Sequence, residues 1–259
     1  MDERCSTHEH RSCQLGWAAM SMGKVDRVRA KAAKRARRRP LSKQAMVDVA
    51  LRIVDTEGTE AVSMRRVAAE FDTGPASLYA HVRDKDELLR LVLDRVIDEM
   101  EVPTADAWQD VVRGFAHNVR SAYQRHADVA RLSFAHIPTG EKVLAGSERL
   151  LRAMIEAGVP DRVAAWALDI LSLYVGADAF EGWIMQQRFS HDARGRPVAE
   201  VDADFVASVQ HDMGAMPADR YPYLARALPV MTSGTSDERF SFGVDMLIAG
   251  FAAQIPEQP

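Results

Sequence analysis

The sequence lacks long apolar runs, has almost no cysteine and carries little net charge, and each shortage excludes a class of protein. No run of about 18 apolar residues occurs, the length that a helix needs to cross a bilayer. Cys5 and Cys13 are the two cysteines among 259 residues, too few to staple a domain, as in a reducing compartment. A net charge of −4 with 47% hydrophobic residues excludes disorder along the whole chain. We therefore expect a cytoplasmic globular protein without a membrane partner.

Metal-site motifs are also missing. Two cysteines and two histidines lie close together near the front, but their spacing is not that of a zinc site, and no apolar residues nearby could build a core around a metal. These residues are Cys5, His8, His10 and Cys13. We predict no metal and no cofactor. An alternative account of this segment is that translation begins at Met20 or Met22, which N-terminal mass spectrometry would test.

Signatures of catalytic sites are absent as well. The sequence has no nucleophile elbow, no zinc-protease His-Glu-x-x-His, no Walker A loop and no dinucleotide-binding glycine pattern. His117, His126, His191 and His211 are isolated in the sequence, and we interpret them as surface or packed residues. We predict that the protein is not an enzyme. The alternative that stays open is a helical ligand-binding protein or enzyme whose first helices only pack against each other.

Charge is unevenly distributed along the chain. Residues 1–100 contain 19 lysines and arginines against 16 acidic residues, whereas residues 101–259 contain 14 against 21. The excess is concentrated between Lys24 and Lys43, where cationic residues greatly outnumber acids. We interpret residues 1–40 as a basic, disordered arm, which is either a solvated tail or a contact to nucleic acid. An acidic chain with a basic front end favours a polyanion at that end only.

Helix start and stop signals are closely spaced after this arm. Ser42 can cap a helix whose apolar residues recur every three or four positions until Gly58 ends it. Asp84, with Glu87 three residues later, has the spacing of a capping box and begins another amphipathic helix that reaches Ile97. A pair of shorter predicted helices lies between these two in the sequence.

The shorter pair has the spacing of a helix-turn-helix. Ser63 can cap a helix of barely two turns, residues 64–71, and Pro75 begins a second one that ends at His81. Two helices this short are not stable alone, so we expect them to pack against each other. In a DNA-binding helix-turn-helix, the second helix enters the major groove. An αα-corner in any helical domain is the alternative at this point.

The stretch Leu41–Ile97 resembles the DNA-binding domain of the tetracycline-repressor (TetR) family. The resemblance is carried by Ser63-Met-Arg-Arg-Val-Ala and by Leu78-Tyr79-x-His81-Val82-x-x-Lys85-x-x-Leu88-Leu89. It covers all the helices at the front of the chain. The second pattern is specific to this family, so the resemblance implies a DNA-binding role.

The resemblance also implies roles for individual residues. Arg65 would reach base edges or phosphates, because arginine can donate two hydrogen bonds to guanine. Asp72 stands in the turn where the family usually has glycine, and we expect a small cost because aspartate tolerates a left-handed backbone. The other assignments from the resemblance are Pro75, Ala76 and Ser77 facing the major groove, and Tyr79, His81 and Lys85 on phosphates. By analogy with the arms of homeodomains, and not from this resemblance, we expect Arg37, Arg38 and Arg39 to enter the minor groove.

The chain after Pro103 has helical patterns and no strand pattern. Gly195 and Pro197 lie in a stretch, residues 190–200, that we predict to be a flexible loop. The predicted helices span residues 108–123, 143–155, 160–188 and 237–254.

The predicted fold class is therefore all-α. It combines a helix-turn-helix DNA-binding domain, residues 41–100, with a helical ligand-binding and dimerisation domain, residues 101–259. The second half resembles the C-terminal domain of the tetracycline repressors through Trp108-Gln-Asp110, Pro222-x-Leu224-x-x-Ala227-Leu228 and Phe242-Gly243-x-x-x-Leu247-Ile248-x-Gly250. This resemblance implies that the helix from Pro160 and the last helix pair with their copies in a four-helix homodimer interface, and that each protomer binds a small molecule.

The expected ligand differs from magnesium-bound tetracycline. Ser133 stands where tetracycline-binding members have a metal-coordinating histidine, and Glu101 replaces a second one. His136 could restore the contact only if its loop shifted. We therefore expect an apolar or aromatic molecule, although each aromatic residue could equally be core packing. The candidate residues are Trp108, Phe115, Tyr123, Phe134, His136, Trp166, Tyr174 and Trp183.

Together these patterns predict a homodimeric, ligand-responsive transcriptional repressor. Two recognition helices about one DNA turn apart would bind a palindromic operator. The ligand would release the DNA by favouring a spacing that does not fit two successive major grooves. An adjacent exporter or catabolic gene is the expected target. Activation in place of repression stays open, because it depends on where the operator lies.

Overall fold

The computed structural model describes residues 40–193 and 195–257. They form α-helices, short 3₁₀ helices and turns, with no strand in this part of the chain, which confirms the all-α fold class. Several predictions lie outside the described residues: the arm with Arg37, Arg38 and Arg39, and the cluster of Cys5, His8, His10 and Cys13.

The N-terminal group, residues 40–100, contains three α-helices and two 3₁₀ helices. Each α-helix begins at the side-chain cap that the sequence predicts, which accepts a hydrogen bond from an amide one turn further on. These caps are Ser42, Ser63 and Asp84. The segments are α1 (Lys43–Glu57), a 3₁₀ helix (Thr59–Ala61), α2 (Met64–Glu70), a second 3₁₀ helix (Pro75–Ala80) and α3 (Lys85–Ile97).

Two details of this group differ from the prediction. The segment from Pro75 is a 3₁₀ helix and not an α-helix, a geometry that short pieces adopt often because i→i+3 bonds close within few residues. Glu87 does not complete a capping box on the Asp84 amide. Its carboxylate accepts instead from the Arg83 amide at 2.7 Å and from the Lys43 ammonium at 3.2 Å, so it ties the start of α1 to the start of α3.

The C-terminal group, residues 101–257, contains six α-helices and one 3₁₀ helix. Its helices at residues 108–123, 143–155, 160–188 and 237–254 were predicted to within a few residues. The segments are α4 (Trp108–Gln124), a 3₁₀ helix (Val129–Phe134), α5 (Glu141–Glu156), α6 (Asp161–Ala193), α7 (Val198–Gly214), α8 (Pro222–Met231) and α9 (Ser236–Ala252).

The predicted flexible loop over residues 190–200 is wrong at both ends. Helix α6 continues to Ala193, and α7 begins at Val198, immediately after Pro197 at its N-cap position. Proline is tolerated at a helix start, where its missing amide has no partner to lose. Phe189 and Val201 are both buried and pack together across this turn. Long-range packing therefore overrides the local breaker signals.

One hydrophobic core runs through both groups. In the C-terminal group, the guanidinium of Arg120 lies inside it and bonds to Asp178 and Asp237, both at 2.5 Å. The same guanidinium lies 4.4 Å from the centre of the Phe240 ring. Burial lowers the pKa of Arg120, but the two carboxylates outweigh that effect and raise it. This cation joins α4, α6 and α9.

Helix α6 has two unlike faces. Ala164, Ala167, Leu171, Val175 and Ala179 recur at three- and four-residue spacing and are buried. By length and composition alone, the stretch 161–191 is also long and apolar enough to cross a membrane. The sequence did not predict such a stretch, because it contains no uninterrupted run of about 18 apolar residues. Large apolar side chains are exposed on α6 and on α9: Trp166, Ile170, Leu173, Ile184, Phe242 and Met246.

Candidate DNA interface and effector site

The 3₁₀ helix Pro75–Ala80 presents its polar and small residues outwards. Leu78 is completely buried and anchors the segment in the core, whereas the Tyr79 side chain is 54% exposed. Thr73 donates from its hydroxyl to the Ser77 hydroxyl at 2.9 Å, which orients the Ser77 side chain. Pro75, Ala76 and Ser77 are all exposed. This surface has the small size and shape needed for close approach to a DNA groove.

Two neighbouring arginines in α2 have different surroundings. Arg66 bonds to Glu70 at 2.5 Å and to Glu57 at 2.8 Å, which raises its pKa above its ordinary value. Arg65 is exposed and has no ion pair with any residue in the described part of the chain. Of these two arginines in the described part of the chain, only Arg65 therefore presents an unneutralised guanidinium to solvent.

The turn between α2 and the 3₁₀ helix has the predicted geometry at Asp72. Its φ is 52°, in the left-handed region that aspartate tolerates better than most residues. His81 and Lys85 are half-buried and lie just beyond the 3₁₀ helix. Lys85 is the first residue of α3, where its cation adds to the exposed amides that favour an anion.

Glu87 stabilises the position of this surface relative to α1. The Arg83 amide and the Lys43 ammonium lower the pKa of its carboxyl to about 2. The carboxylate therefore stays ionised at neutral pH and holds the loop before α3 against α1. The spacing of Asp84 and Glu87 predicts only a helix cap and does not indicate this link, because Lys43 is 44 residues away in the chain.

The structure does not bring the eight effector candidates into one cluster. Trp108, Phe115 and Tyr123 all lie on α4 and are buried in the core. Burial raises the pKa of Tyr123 to about 12, although a hydrogen bond with Ser133 opposes that shift. Ser133 is therefore close to this core tyrosine, in the 3₁₀ helix Val129–Phe134.

A second set of candidates forms a row of rings between that 3₁₀ helix and α6. The rings of Phe134 and Phe180 meet edge to face at 6.3 Å, and the Phe180 and Trp183 rings stack at 5.8 Å with an angle of 9° between them. Phe134 is 48% exposed, so the row is accessible from outside. Phe180 was absent from the predicted set, and its helical spacing of three from Trp183 is the signal that could have identified it.

The three remaining candidates lie apart. Tyr174 stacks on Phe240 at 5.5 Å, and burial, with the Asp178 carboxylate, raises its pKa. Trp166 is 61% exposed on the outer face of α6. His136 is half-buried in the segment between the 3₁₀ helix and α5. No group of three possible metal ligands occurs in residues 40–193 and 195–257.

The junction of the two groups contains functional candidates that sequence reasoning missed. The buried Asp128 carboxylate accepts from the Thr59 amide at 2.8 Å and from the Thr59 hydroxyl at 2.7 Å. His126 bridges Asp55 at 3.0 Å and Glu99 at 3.1 Å. Burial raises the pKa of Glu99, but the bonds with His126 and with Arg125 lower it overall. These partners are far apart in sequence, so no local pattern indicates them.

Two family models match the chain. The model described as "Bacterial regulatory proteins, tetR family" matches residues 46–92, and "Tetracyclin repressor-like, C-terminal domain" matches residues 102–255. Together they cover the two regions in which the sequence resemblance was identified.

Relatives of known character are similar over most of the chain. A protein named HTH-type transcriptional repressor DrrR1, from Streptomyces coeruleorubidus, is 31% identical over 82% of this chain and 78% of its own length. The class E tetracycline repressor protein of Escherichia coli is 26% identical over 84% of this chain and 94% of its own length.

Solved structures have the same architecture. The TetR family protein ActR of Streptomyces coelicolor in complex with actinorhodin superposes with a TM-score of 0.73 and 37% identity, over 84% of this chain and 98% of that one. The same protein in complex with (S)-DNPA gives a TM-score of 0.71 and 35% identity, over 84% of this chain and all of that one.

Proposed function

The chain belongs to the TetR family of DNA-binding transcriptional repressors, and on that premise we propose that it acts in the cytoplasm as a homodimer on a palindromic operator. We divide it into a DNA-binding domain, residues 41–100, and a domain for effector binding and dimerisation, residues 101–259. The matches at residues 46–92 and 102–255 support this division. The family and the named relatives are regulators and not enzymes.

The proposed DNA contacts are those of the surface around the 3₁₀ helix Pro75–Ala80. Arg65 donates to base edges or phosphates, Pro75, Ala76 and Ser77 approach the groove, and Tyr79, His81 and Lys85 bind phosphates. The arm residues Arg37, Arg38 and Arg39 are proposed to enter the adjacent minor groove. The observation that carries the proposal is the pair of adjacent arginines, of which Arg66 is neutralised by two carboxylates and Arg65 is not.

The proposed dimer interface is formed by α6 and α9 with their copies. Trp166, Phe242 and Met246 are each more than half exposed, and large exposed apolar side chains on neighbouring helices are characteristic of protein interfaces. A second copy would cover them in a symmetric, isologous contact. The same contact sets the distance between the two recognition surfaces.

The proposed effector is a small apolar or aromatic molecule. The accessible row of Phe134, Phe180 and Trp183 supports this class, since flat rings stack well on such a surface. The ligands named in the two ActR complexes, actinorhodin and (S)-DNPA, support a small-molecule effector for this chain as well. Tetracycline bound to magnesium is not proposed, because Ser133 and Glu101 replace the histidines that would hold the metal.

The effector is proposed to release the operator through its preference for one dimer conformation. A ligand shifts the equilibrium only by its difference in affinity for the two states, so it must bind better when the recognition surfaces do not fit successive grooves. We propose an adjacent exporter or catabolic gene as the target.

Fluorescence anisotropy with DNA from upstream of the gene tests the proposal. Tyr79→Ala should weaken binding to specific and random DNA about equally, because it removes a neutral contact to phosphate. Lys85→Ala should do the same and also reduce the salt dependence, because it removes a cation that neutralises a phosphate. Arg65→Ala should weaken operator binding and also relax sequence preference. Tyr223→Ala, which removes a tyrosine that is 75% exposed in the C-terminal group, is the matched control and should bind as wild type.

Equal operator affinity for wild type and Tyr79→Ala at matched salt would overturn the assignment of the recognition surface. The absence of any complex that resists competitor DNA would favour the alternative, a helical ligand-binding protein without a DNA partner.

A further inference from the structure

His126 lies between α4 and the 3₁₀ helix Val129–Phe134, and its ring contacts the N-terminal group at two points. Its Nδ1 atom lies 3.0 Å from a carboxylate oxygen of Asp55, in the last turn of α1. Its Nε2 atom lies 3.1 Å from a carboxylate oxygen of Glu99, two residues after the end of α3. One ring of the C-terminal group therefore joins two separate helices of the N-terminal group.

Both contacts together require the charged form of the ring. A neutral imidazole has one N–H and one lone pair, so it donates to a single carboxylate, whereas an imidazolium donates with both nitrogens. In this arrangement, a neutral ring would place a lone pair against the lone pairs of a carboxylate. The His126 side chain is 12% exposed, so little water reaches the ring to replace a lost bond. Loss of the proton therefore breaks one of the two links.

The two carboxylates differ in what else neutralises them. Glu99 also accepts from Arg95 on α3 and from Arg125 at the end of α4, both at 3.3 Å. Burial raises the pKa of Glu99, but the bonds with His126 and Arg125 lower it overall, so Glu99 is ionised at neutral pH. Asp55 has no lysine or arginine partner within residues 40–193 and 195–257. In this part of the chain, its cationic partner is His126.

The remaining charges near the ring have partners of their own. They line the same cleft as Asp55, at the junction of the two groups, where α6 contributes the neutral Trp183 and Gln187. These charged residues and their partners are Glu57 with Arg66, Glu60 with Arg131, and Asp128 with the amide and hydroxyl of Thr59. The charge that changes most readily at this junction is therefore that of the ring itself.

We propose that His126 is a proton-dependent clamp between the two groups. The charged ring holds α1 and the end of α3 against the C-terminal group, and loss of its proton to water releases one of them. Histidine is the side chain that ordinarily changes its charge between about pH 5 and pH 8. The clamp therefore closes in mild acid and opens in mild base.

The expected effect on DNA binding rests on the proposed function, in which two recognition surfaces bind one palindromic operator. A closed clamp restricts how the DNA-binding group moves relative to the group that forms the dimer. Less conformational freedom is then lost when both surfaces bind at once, and such preorganisation strengthens binding. Operator affinity should therefore fall as the pH rises and the clamp opens. Protonation of His81, a proposed phosphate contact, has the same sign, so the pH dependence of the wild type alone does not identify the clamp.

Operator binding by the full-length protein at about pH 6 and about pH 8.5, at fixed ionic strength, tests the clamp. Glutamine is neutral at both pH values, so His126→Gln imitates the deprotonated ring and keeps His81. Fluorescence anisotropy should show the dissociation constant of the wild type rising about fivefold more over this interval than that of the variant. Affinity for random DNA should change equally in both proteins, because random DNA does not require two surfaces at one fixed distance.

Two matched controls and a second variant locate the effect. Asp55→Asn should also reduce the pH dependence of operator binding, because it removes the charge that His126 neutralises on α1. His211→Gln and Asp202→Asn, at exposed residues of α7, should keep the pH dependence of the wild type. Thermal unfolding by circular dichroism establishes that each variant folds.

Hydrogen exchange measured by mass spectrometry detects the clamp without DNA. Exchange rates depend on pH, so the wild type and His126→Gln are compared at the same pH. At about pH 6, peptides that contain Asp55 or Glu99 should exchange at least about twofold faster in the variant. At about pH 8.5, where the wild-type ring is also neutral, the two proteins should exchange alike.

Three outcomes would overturn the proposal. They are equal pH dependence of operator affinity in the wild type and folded His126→Gln, a difference of the opposite sign, and identical hydrogen exchange of the two proteins at about pH 6. If no variant and no wild type bound an operator at any pH, the proposed function would fail. The exchange measurement would then still decide whether His126 clamps the junction.

Discussion

The N-terminal group buries its apolar anchor and exposes charged side chains, whereas the C-terminal group leaves large apolar side chains exposed. In the N-terminal group, Leu78 is completely buried, and the residues that stay outside include the unneutralised Arg65. In the C-terminal group, Phe242 on α9 remains 69% exposed. Under the proposed function, the two surfaces have different partners. The surface around Arg65 meets DNA, and the apolar face of α6 and α9 meets its copy in a second protomer.

The stabilising contacts of the molecule also differ in how far apart their partners are in sequence. Helix caps in the N-terminal group join residues three positions apart, as at Ser42 and Ala45. The buried Arg120 joins residues 58 and 117 positions away, Asp178 and Asp237. Local contacts are readable from sequence patterns, whereas distant ones depend on the folded chain.

The largest expected effect is on the free energy of unfolding, when Leu78, the buried anchor of the N-terminal group, is replaced. Leu78→Ala leaves a cavity in a closed core and should lower the free energy of unfolding by about 2–5 kcal/mol, measured by urea denaturation at fixed protein concentration. Leu144→Ala, at a leucine that is 60% exposed on α5, should cost less than about 0.5 kcal/mol. Similar losses for both variants would show that the N-terminal core is not closed in the way described.

A charge on the open face of the C-terminal group should have the next largest effect. Phe242→Glu would bury an unpaired carboxylate in the proposed interface and should raise the dimer dissociation constant about a hundredfold. Sedimentation equilibrium measures the change. Leu144→Glu, outside the α6 and α9 face, should leave self-association as in wild type. If the Phe242→Glu protein dimerised as wild type does, the exposed face of α6 and α9 would not be the dimer interface, and the contrast between the two groups would fail.

The smallest expected effect is a pH dependence of the free energy of unfolding, caused by Tyr123 in the interior of the C-terminal group. The pKa of Tyr123 is raised to about 12, so at high pH the unfolded phenol ionises while the buried one stays neutral. Stability is therefore complete below about pH 10 and falls as the pH rises towards about 12. The loss between about pH 8 and about pH 10.5 should be about 0.8 kcal/mol. Urea denaturation at both pH values should show a smaller loss for Tyr123→Phe; an identical loss would place Tyr123 in contact with water.

Much of the local geometry of the proposed DNA-binding surface was predictable, because its signals are local. The caps at Ser42, Ser63 and Asp84, the proline at the start of the 3₁₀ helix and the left-handed Asp72 all act within one or two turns of the chain. The effector site was less predictable. An aromatic residue that faces the core and one that faces a cavity have the same spacing on a helix, so Trp108 and Trp183 could not be distinguished by pattern.

By itself, the sequence determined the all-α class, the order of most helices and the division into a basic front and an acidic body, since capping, periodicity and composition act over short distances. Only the tertiary structure decided which of two adjacent arginines stays unpaired, that Phe134, Phe180 and Trp183 form a row, and that His126 bridges Asp55 and Glu99 at the junction. Each of these depends on which distant residues meet, and that is settled by packing and not by spacing along the chain.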